Sequence, residues 1–467
     1  MYWANFLHIY QPPTQTADIL DKVVNESYRK ILAELKKRPK AKLTLNISGG
    51  LTELLAKHRY FDVLADIKKL LERDQLELTQ TAKYHAFLPC LPTAEVGRQI
   101  ELNQIINRKY FGKKYRPRGF FIPEMAYTLK LARLLKKLGY QWIIIDDSSF
   151  PPQKGMVNYQ TIYELESCSN FYVFFRERGT SFKIISAQTG TAKVLFNEIK
   201  ERLPRHEYLL TAMDGETFGH HRLGLEQLLT EVFASDILPT VVISDLFSLF
   251  KERVRVNPIS GSWALFNIDE ARRAPFSRWY NRDNKIHRLQ WELTNLALKV
   301  VDSVNLQKKK VFKARKLLDS ALHSDQYWWA SAKPWWSIEI IERGASKLLE
   351  TIKQTPGVPS FKIGKAEDLY KTILFTAFEW QRDGTVDKLV KEHIDEEAQF
   401  RIQDKETKIP RQEIFKMINH LKKQMYQAAK AEEYERAAVF KERINNLAAQ
   451  KNLFSKNKNN LESHWGD

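Results

Sequence analysis

Residues 118–147 read RGFFIPEMAYTLKLARLLKKLGYQWIIIDD, and their order decides the fold class. Arg118 to Ile122 forms an apolar, aromatic strand pattern that stops at Pro123-Glu124. Leu131, Leu134, Leu135 and Leu138 then recur at helical spacing. Gly139 follows, where a glycine ends a helix in the left-handed conformation at little cost. Trp142 to Ile145 is a second strand, apolar at every position, and it runs into Asp146-Asp147. Strand, helix, strand is a βαβ unit, which sets its strands parallel through a right-handed crossover.

The same alternation extends both ways. Upstream, Trp3 to Ile9, Leu43 to Ser48 and Leu76 to Leu78 read as strands. Tyr28, Ile31, Leu32 and Leu35, and then Leu64, Ile67, Leu70 and Leu71, read as helices between them. Downstream, Tyr208 to Met213 and Thr240 to Ile243 are predicted strands, and the aromatic run Phe171 to Phe175 is expected to be a hairpin or excursion. Beyond about residue 250 the pattern turns helical and tryptophan-rich, with Leu289, Leu293, Leu296 and Val300 on one helix. The expected organisation is a catalytic α/β barrel over 1–250 and a helical domain over 251–400 that completes the cleft. A polar linker (401–411), a helical hairpin (412–450) and a flexible Asn/Lys-rich tail (451–467) follow.

Composition narrows the class. The chain has 467 residues, 43% hydrophobic and 28% charged, which excludes a mainly disordered or collagen-like protein. Its two cysteines, Cys90 and Cys168, lie in no CxxC or Cys/His cluster, so neither a disulfide framework nor a zinc site is expected, and a reducing compartment fits. Lys plus Arg number 74 against 56 Asp plus Glu, a net +18. That surplus is spread along the chain and reads as a soluble surface in preference to a nucleic-acid footprint. The start of the chain lacks signal-peptide character, and no apolar run approaches the ~20 residues that cross a bilayer. A soluble, cytoplasmic protein without metal or cofactor is expected.

In parallel α/β barrels the chemistry collects where strands end. Here strand one ends in His8, followed by Tyr10-Gln11-Pro12-Pro13. The third strand carries Glu77, the fourth meets Glu124, and the fifth ends in Asp146-Asp147. The Tyr208 strand runs into Asp214-Gly215-Glu216 and then Phe218-Gly219-His220-His221. Two carboxylates across a pocket suit glycoside hydrolysis, one attacking the anomeric carbon and the other handling the proton. Aromatic rings suit sugar C–H faces, and the tryptophans Trp263, Trp279, Trp335 and Trp336 are candidate platforms, although buried tryptophan is as often core.

These residues resemble glycoside hydrolase family 57, the α-glucan-active amylases, glucanotransferases and branching enzymes. His8-Ile-Tyr-Gln11-Pro12-Pro13 is similar to the family's opening His-x-His-Gln-Pro segment, with Tyr10 in place of the second histidine. Gln75-Leu-Glu77 with Tyr84-His85 resembles its second region. Gly119-Phe-Phe-Ile-Pro-Glu124-Met-Ala-Tyr127 resembles the third, and Ala212-Met-Asp214-Gly-Glu-Thr-Phe-Gly-His220-His221 the fourth. Gly261-Ser-Trp263 and Trp279 through His287 resemble the approach to the fifth. The resemblance implies an incomplete (β/α)7 barrel with a helical domain beside its mouth. It further implies Glu124 as nucleophile, Asp214 as acid/base and net retention. His8, Gln11, Glu77 and His85 would line the substrate site, with Glu216 and His220 as supports. Residues 418–444 resemble a UVR motif, a short helical hairpin that mediates protein contacts, so a protein partner through 412–450 is expected beside the glucan substrate. Three alternatives remain open: a silent glucan-binding scaffold, a metal-dependent deacetylase or mannosidase, and a DNA-repair accessory.

Overall fold

The computed structural model describes residues 1–265, 274–304, 309–333, 335–392 and 409–462. Among the described residues, nine strands form two mainly parallel sheets. The first has the order β3-β2-β1-β8, with β1 at Tyr2–Ile9, β2 at Leu43–Ile47, β3 at Leu76–Thr79 and β8 at Tyr208–Asp214. The second has the order β4-β5-β7-β6-β9, with β4 at Gly119–Phe121, β5 at Trp142–Asp146, β6 at Ile162–Leu165, β7 at Tyr172–Arg176 and β9 at Arg253–Val256. The expected seven-strand barrel is thus resolved into a four-stranded and a five-stranded sheet.

Two expectations change. Thr240 is joined to Trp3 by a single parallel bridge and Ile243–Asp245 is a 3-10 turn, so this segment forms no strand. Phe171 to Phe175 does pair antiparallel with β6 as a hairpin would, yet its other edge pairs parallel with β5. Strand periodicity does not separate these cases, because each ladder partner is remote in sequence. The strand β9 still belongs to the sheet, so the sheet's chain extends past residue 250.

Burial on both faces explains the uninterrupted apolar strands. In β5, Trp142 and Ile144 point between the sheets with Ala4, Phe6, Phe174, Tyr208 and Leu210. Ile143 and Ile145 point outward, into the same core as Leu293, Ala297, Val300, Leu348 and Ile373 of the helical region. The helices Lys285–Asp302, Ile338–Gln354 and Ser360–Arg382 therefore share one core with the second sheet. Gly119 is required where β4 meets β5, because a Cβ there would lie 2.1 Å from the Trp142 ring.

The helices Arg411–Lys430 and Tyr434–Glu462 form the expected hairpin. The second runs into the stretch read as a tail, while residues 401–408 of the linker and 463–467 lie outside the described residues. Ile414, Met417, Ile418, Leu421, Phe440, Ile444 and Leu447 form the hairpin's own core, and Leu223, from the segment after β8, packs against it. Polar contacts fix this docking: Gln424 donates to Glu226, and Lys30 donates to the same carboxylate at 2.7 Å.

Candidate active site

Register brings the strand ends together. His8 lies opposite Asn46 on one side and Asp214 on the other, while Asn46 lies opposite Thr79. These residues form one inward layer. Asn46 Nδ2 donates to Thr79 Oγ1 at 2.9 Å, which turns Oδ1 toward His8 Nδ1 at 2.8 Å. Nδ1 therefore carries the hydrogen, and Nε2 of His8 has no partner among the described residues. The rings of His8, Tyr10 and His85 stack, with His85 4.8 Å from His8 and 4.3 Å from Tyr10. Burial, and for His8 the charge of His85, pushes both histidines down, His85 to about 4, so both are neutral near pH 7.

Glu124 follows β4 on a 3-10 turn, Pro123–Met125, with φ 64 and ψ 13. A left-handed glutamate is a strained conformation of the kind that clusters at working sites. Two remote segments hold it there. Residue 261 bridges Tyr127, which delivers Trp263 so that its Nε1 donates to Glu124 Oε2 at 2.9 Å. His323 bridges Ala86, which delivers Ser324 so that its Oγ donates to Glu124 Oε1 at 2.9 Å. Burial pushes Glu124 up to about 8, with the negative charges of Asp325 and Asp214 adding to the rise and the two donors opposing it. Burial and the Glu216 carboxylate push Asp214 up to about 7 against the attraction of Arg176. Two buried acids that sense each other and titrate near neutrality are the equipment of proton-transfer chemistry.

The loop that follows Asp214 is braced from behind. The turn Val24–Tyr28 is π-helical, a form often found at functional sites. It presents three consecutive side chains to the loop. Ser27 Oγ donates to Gly215 O at 2.8 Å, Tyr28 Oη donates to Glu216, and Glu26 Oε2 lies 2.6 Å from His220 Nδ1. Gly219, with φ 104, lets the loop pass this turn, because a Cβ would lie 2.0 Å from the Glu26 carbonyl oxygen.

The remaining expected residues separate. Gln11 Nε2 donates to Glu216 at 3.1 Å, so both brace the loop. His85 lies beside Glu124, its Nδ1 at 3.6 Å from Oε1. Glu77 sits one layer below His8, opposite Thr44, and accepts from Thr44 Oγ1 and the Ser244 amide. His220 is engaged by Glu26, its Nδ1 at 2.6 Å from Oε2. Trp279 is fully buried and stacks on Phe87 at 5.2 Å, so it is core and presents no ring to a sugar. Trp336 stacks on Trp380 against the helical core, whereas Trp335 is half exposed beside Trp329. Asp146 is consumed by Arg176 and Arg178 at 3.2 and 2.9 Å.

Four contributors escaped the sequence reading: Asn46, Arg176, Ser324 and Asp325. Tyr10 Oη donates to Asp325 Oδ2 at 2.6 Å, and His323 Nδ1 lies 3.0 Å from the same oxygen. The run His323-Ser-Asp325 sits at no strand end, and its one signal is a polar triplet inside an apolar, tryptophan-rich stretch. Arg176 ends a strand that read as an excursion.

A family model described as Glycosyl hydrolase family 57 matches residues 4–257, and one described as the UvrB/uvrC motif matches residues 416–450. An α-amylase of Pyrococcus horikoshii is 30% identical over 146 residues, which is 31% of this chain and 22% of that protein. A 4-α-glucanotransferase of Thermococcus litoralis is 27% identical over 146 residues, 31% of this chain and 21% of that protein. The chain therefore matches about a fifth of the length of these relatives. Among solved structures, the T. litoralis 4-α-glucanotransferase aligns with a TM-score of 0.60 at 19% identity, over 75% of this chain and 60% of that one. A branching enzyme of P. horikoshii aligns with 0.59 at 16% identity, over 81% and 96%. These two show a shared fold. Residues 4–257 are more than half of the 467, and they contain both carboxylate-bearing loops and every inward strand end described above, so the chain belongs to glycosyl hydrolase family 57 and carries a UVR motif at its C-terminal end.

Proposed function

We propose that the chain is a retaining α-glucan hydrolase or transglycosylase, with Glu124 as nucleophile and Asp214 as acid/base. The observation that carries this is the hold on Glu124: one donor on each carboxylate oxygen, at a strained turn, with the charge of Asp214 felt across the site. Ser324 and Trp263 stabilise the anion that attacks the anomeric carbon. Asp214, with Glu216 and burial favouring its protonated form, gives a proton to the leaving oxygen and later takes one from water or an acceptor hydroxyl. The open Nε2 atoms of His8 and His85 suit sugar hydroxyls. His8, His85, Trp263 and Trp335 are the substrate contacts of this reading.

The two sheets are read as one incomplete seven-strand barrel. In support, Gln80 joins β3 to β4 through bonds of 2.9 and 2.8 Å, and the Glu177 amide reaches Leu210 of β8 at 2.7 Å. A protein partner of residues 412–450 would meet the hairpin's outer faces, since its apolar stripe is packed inside. A cytoplasmic location fits two free cysteines, and no described helix is long and apolar enough to cross a membrane.

Amylose and maltooligosaccharides are the test substrates. Products resolved by chromatography, with the new anomeric centre followed by NMR, are expected to retain the α-configuration. Reducing ends alone mean hydrolysis, and a redistributed ladder means transfer. An inverted product overturns the mechanism. No product of any kind favours a second reading, a glucan-binding scaffold, for which the capture of Asp325 by Tyr10 is the supporting observation.

A pH dependence follows. Below about 7 both carboxyls hold their protons and no nucleophile is present; above about 8 both are ionised and no acid remains. Between them the working pair, ionised Glu124 with protonated Asp214, is the minor of the two singly protonated forms, because burial pushes Glu124 higher than Asp214, yet its share is greatest there. Hence kcat/KM for maltooligosaccharides peaks between these values and falls on either side. A flat profile from about pH 5 to about pH 9 contradicts the pairing.

A further inference from the structure

Asp146 ends β5 and takes no part in the chemistry above, yet it is fully buried. Its two oxygens are divided between two buried arginines. Oδ1 accepts from Arg178 Nη1 at 2.9 Å and Oδ2 from Arg176 Nη1 at 3.2 Å. Arg176 lies opposite Asp146 in the ladder of β5 and β7 and on the same face as Phe174, so it points between the sheets at the level of the strand ends. Its guanidinium lies over two rings, with Cζ 5.1 Å from the centre of Phe182 and 5.8 Å from that of Trp263. Trp263 is the ring whose Nε1 donates to Glu124. An unbroken path therefore runs from Asp146 through Arg176 and the indole to Glu124 Oε2.

The backbone around Trp263 is fixed without Arg176. The Gly261 carbonyl accepts from the Tyr127 amide at 2.8 Å, the Leu265 carbonyl accepts from Arg178 Nη2, and the Trp263 amide donates to the Glu124 carbonyl at 3.1 Å. These bonds leave the indole's own side-chain torsions to be set by what surrounds the ring. Phe121 and His8 meet it at 57° and 61°, with ring centres 5.7 and 6.1 Å away. The Arg176 cation lies over the π face. A cation there holds the plane of the ring and draws electron density from it, which makes the indole N–H a stronger donor to a carboxylate.

We infer that Arg176 is a positioning residue for Glu124: anchored on Asp146, it sets the indole of Trp263 so that Nε1 meets Oε2. Its effect on rate rests on Glu124 as the nucleophile, whereas the hold itself is read without substrate. The full chain is isotopically labelled in its tryptophan nitrogens, and the Trp263 indole resonance is identified by NMR from its loss in Trp263→Phe. It is expected downfield, as for an N–H bonded to a carboxylate, and further upfield in Glu124→Gln, because an amide is a weaker acceptor. Arg176→Met keeps the aliphatic stem without the cation and is expected to move the resonance upfield as well, with a cooperative thermal transition retained. If that variant does not fold, Arg176→Lys keeps a cation for Asp146 but gives up the planar face, and a smaller shift in the same direction is expected. A resonance unchanged in a folded variant overturns the inference. On maltooligosaccharides, Arg176→Met is expected to lower kcat about tenfold or more and leave KM within about threefold. In a Trp263→Phe background the same substitution should cost less than about twofold. Equal losses in both backgrounds overturn the route through Trp263. No turnover in the unaltered chain sinks the glucan reading alone, because the resonance still reports the hold on Glu124.

Discussion

Replacing Glu124 by glutamine lowers amylose turnover by more than ~10⁴-fold, in the range seen when a covalent nucleophile is removed, and leaves glucan affinity within a few-fold. Glutamine matches the size and shape of glutamate, so the turn with φ 64 has no new steric reason to move. Its carbonyl oxygen still accepts from one of the two donors, Trp263 Nε1 or Ser324 Oγ. The other donor then faces an amide NH₂ and loses its acceptor. What disappears is the lone pair that forms the glycosyl–enzyme bond. The stack of His8, Tyr10 and His85 is untouched, and with it the hydroxyl-binding nitrogens. Initial rates on amylose and a calorimetric titration with maltoheptaose separate the two effects. Full turnover in this variant refutes the nucleophile assignment, and loss of binding in step with turnover shows that Glu124 serves the ground state instead.

Arg315→Ala is the substitution with the largest expected effect on stability. Arg315 meets both oxygens of Glu95, at 2.7 and 2.6 Å, and reaches Asp319 at 3.0 Å. Arg98 binds Asp319 in turn, at 2.6 and 2.7 Å. The four groups join the helix Thr93–Phe111, which lies between β3 and β4, to the helix Lys309–Ala321 of the helical region, and Glu95 and Arg315 are only 4% and 5% exposed. Removing the guanidinium strands a buried carboxylate, which costs about 3–5 kcal/mol. Asp319 keeps Arg98, so most of the loss falls on Glu95. Adding Glu95→Gln to the variant removes the stranded charge and should recover part of the loss. Urea unfolding of the three proteins checks both statements. A loss under about 1 kcal/mol in the single variant, the size of an exposed pair, would mean that water reaches the site.

The sequence by itself determined the class of fold and the two carboxylates. Periodicity is local: a helix declares itself over two or three turns and a buried strand over five residues, so 118–147 needs no partner to be read. Glu124 and Asp214 were legible for the same reason, since each immediately follows or ends such a strand. The stripe of the C-terminal hairpin was legible too, but not that Leu223 covers part of it. What the tertiary structure decided is everything that depends on a ladder partner or on which face a ring finds. Phe171 to Phe175 pairs with both β5 and β6, and one edge could not be told from two. Ser324 and Asp325 lie 200 residues or more from Glu124 and reach it only because His323 pairs with Ala86. Trp279 and Trp335 carry the same side chain, yet one is core and the other half exposed, because burial is set by what packs against a residue and not by its type.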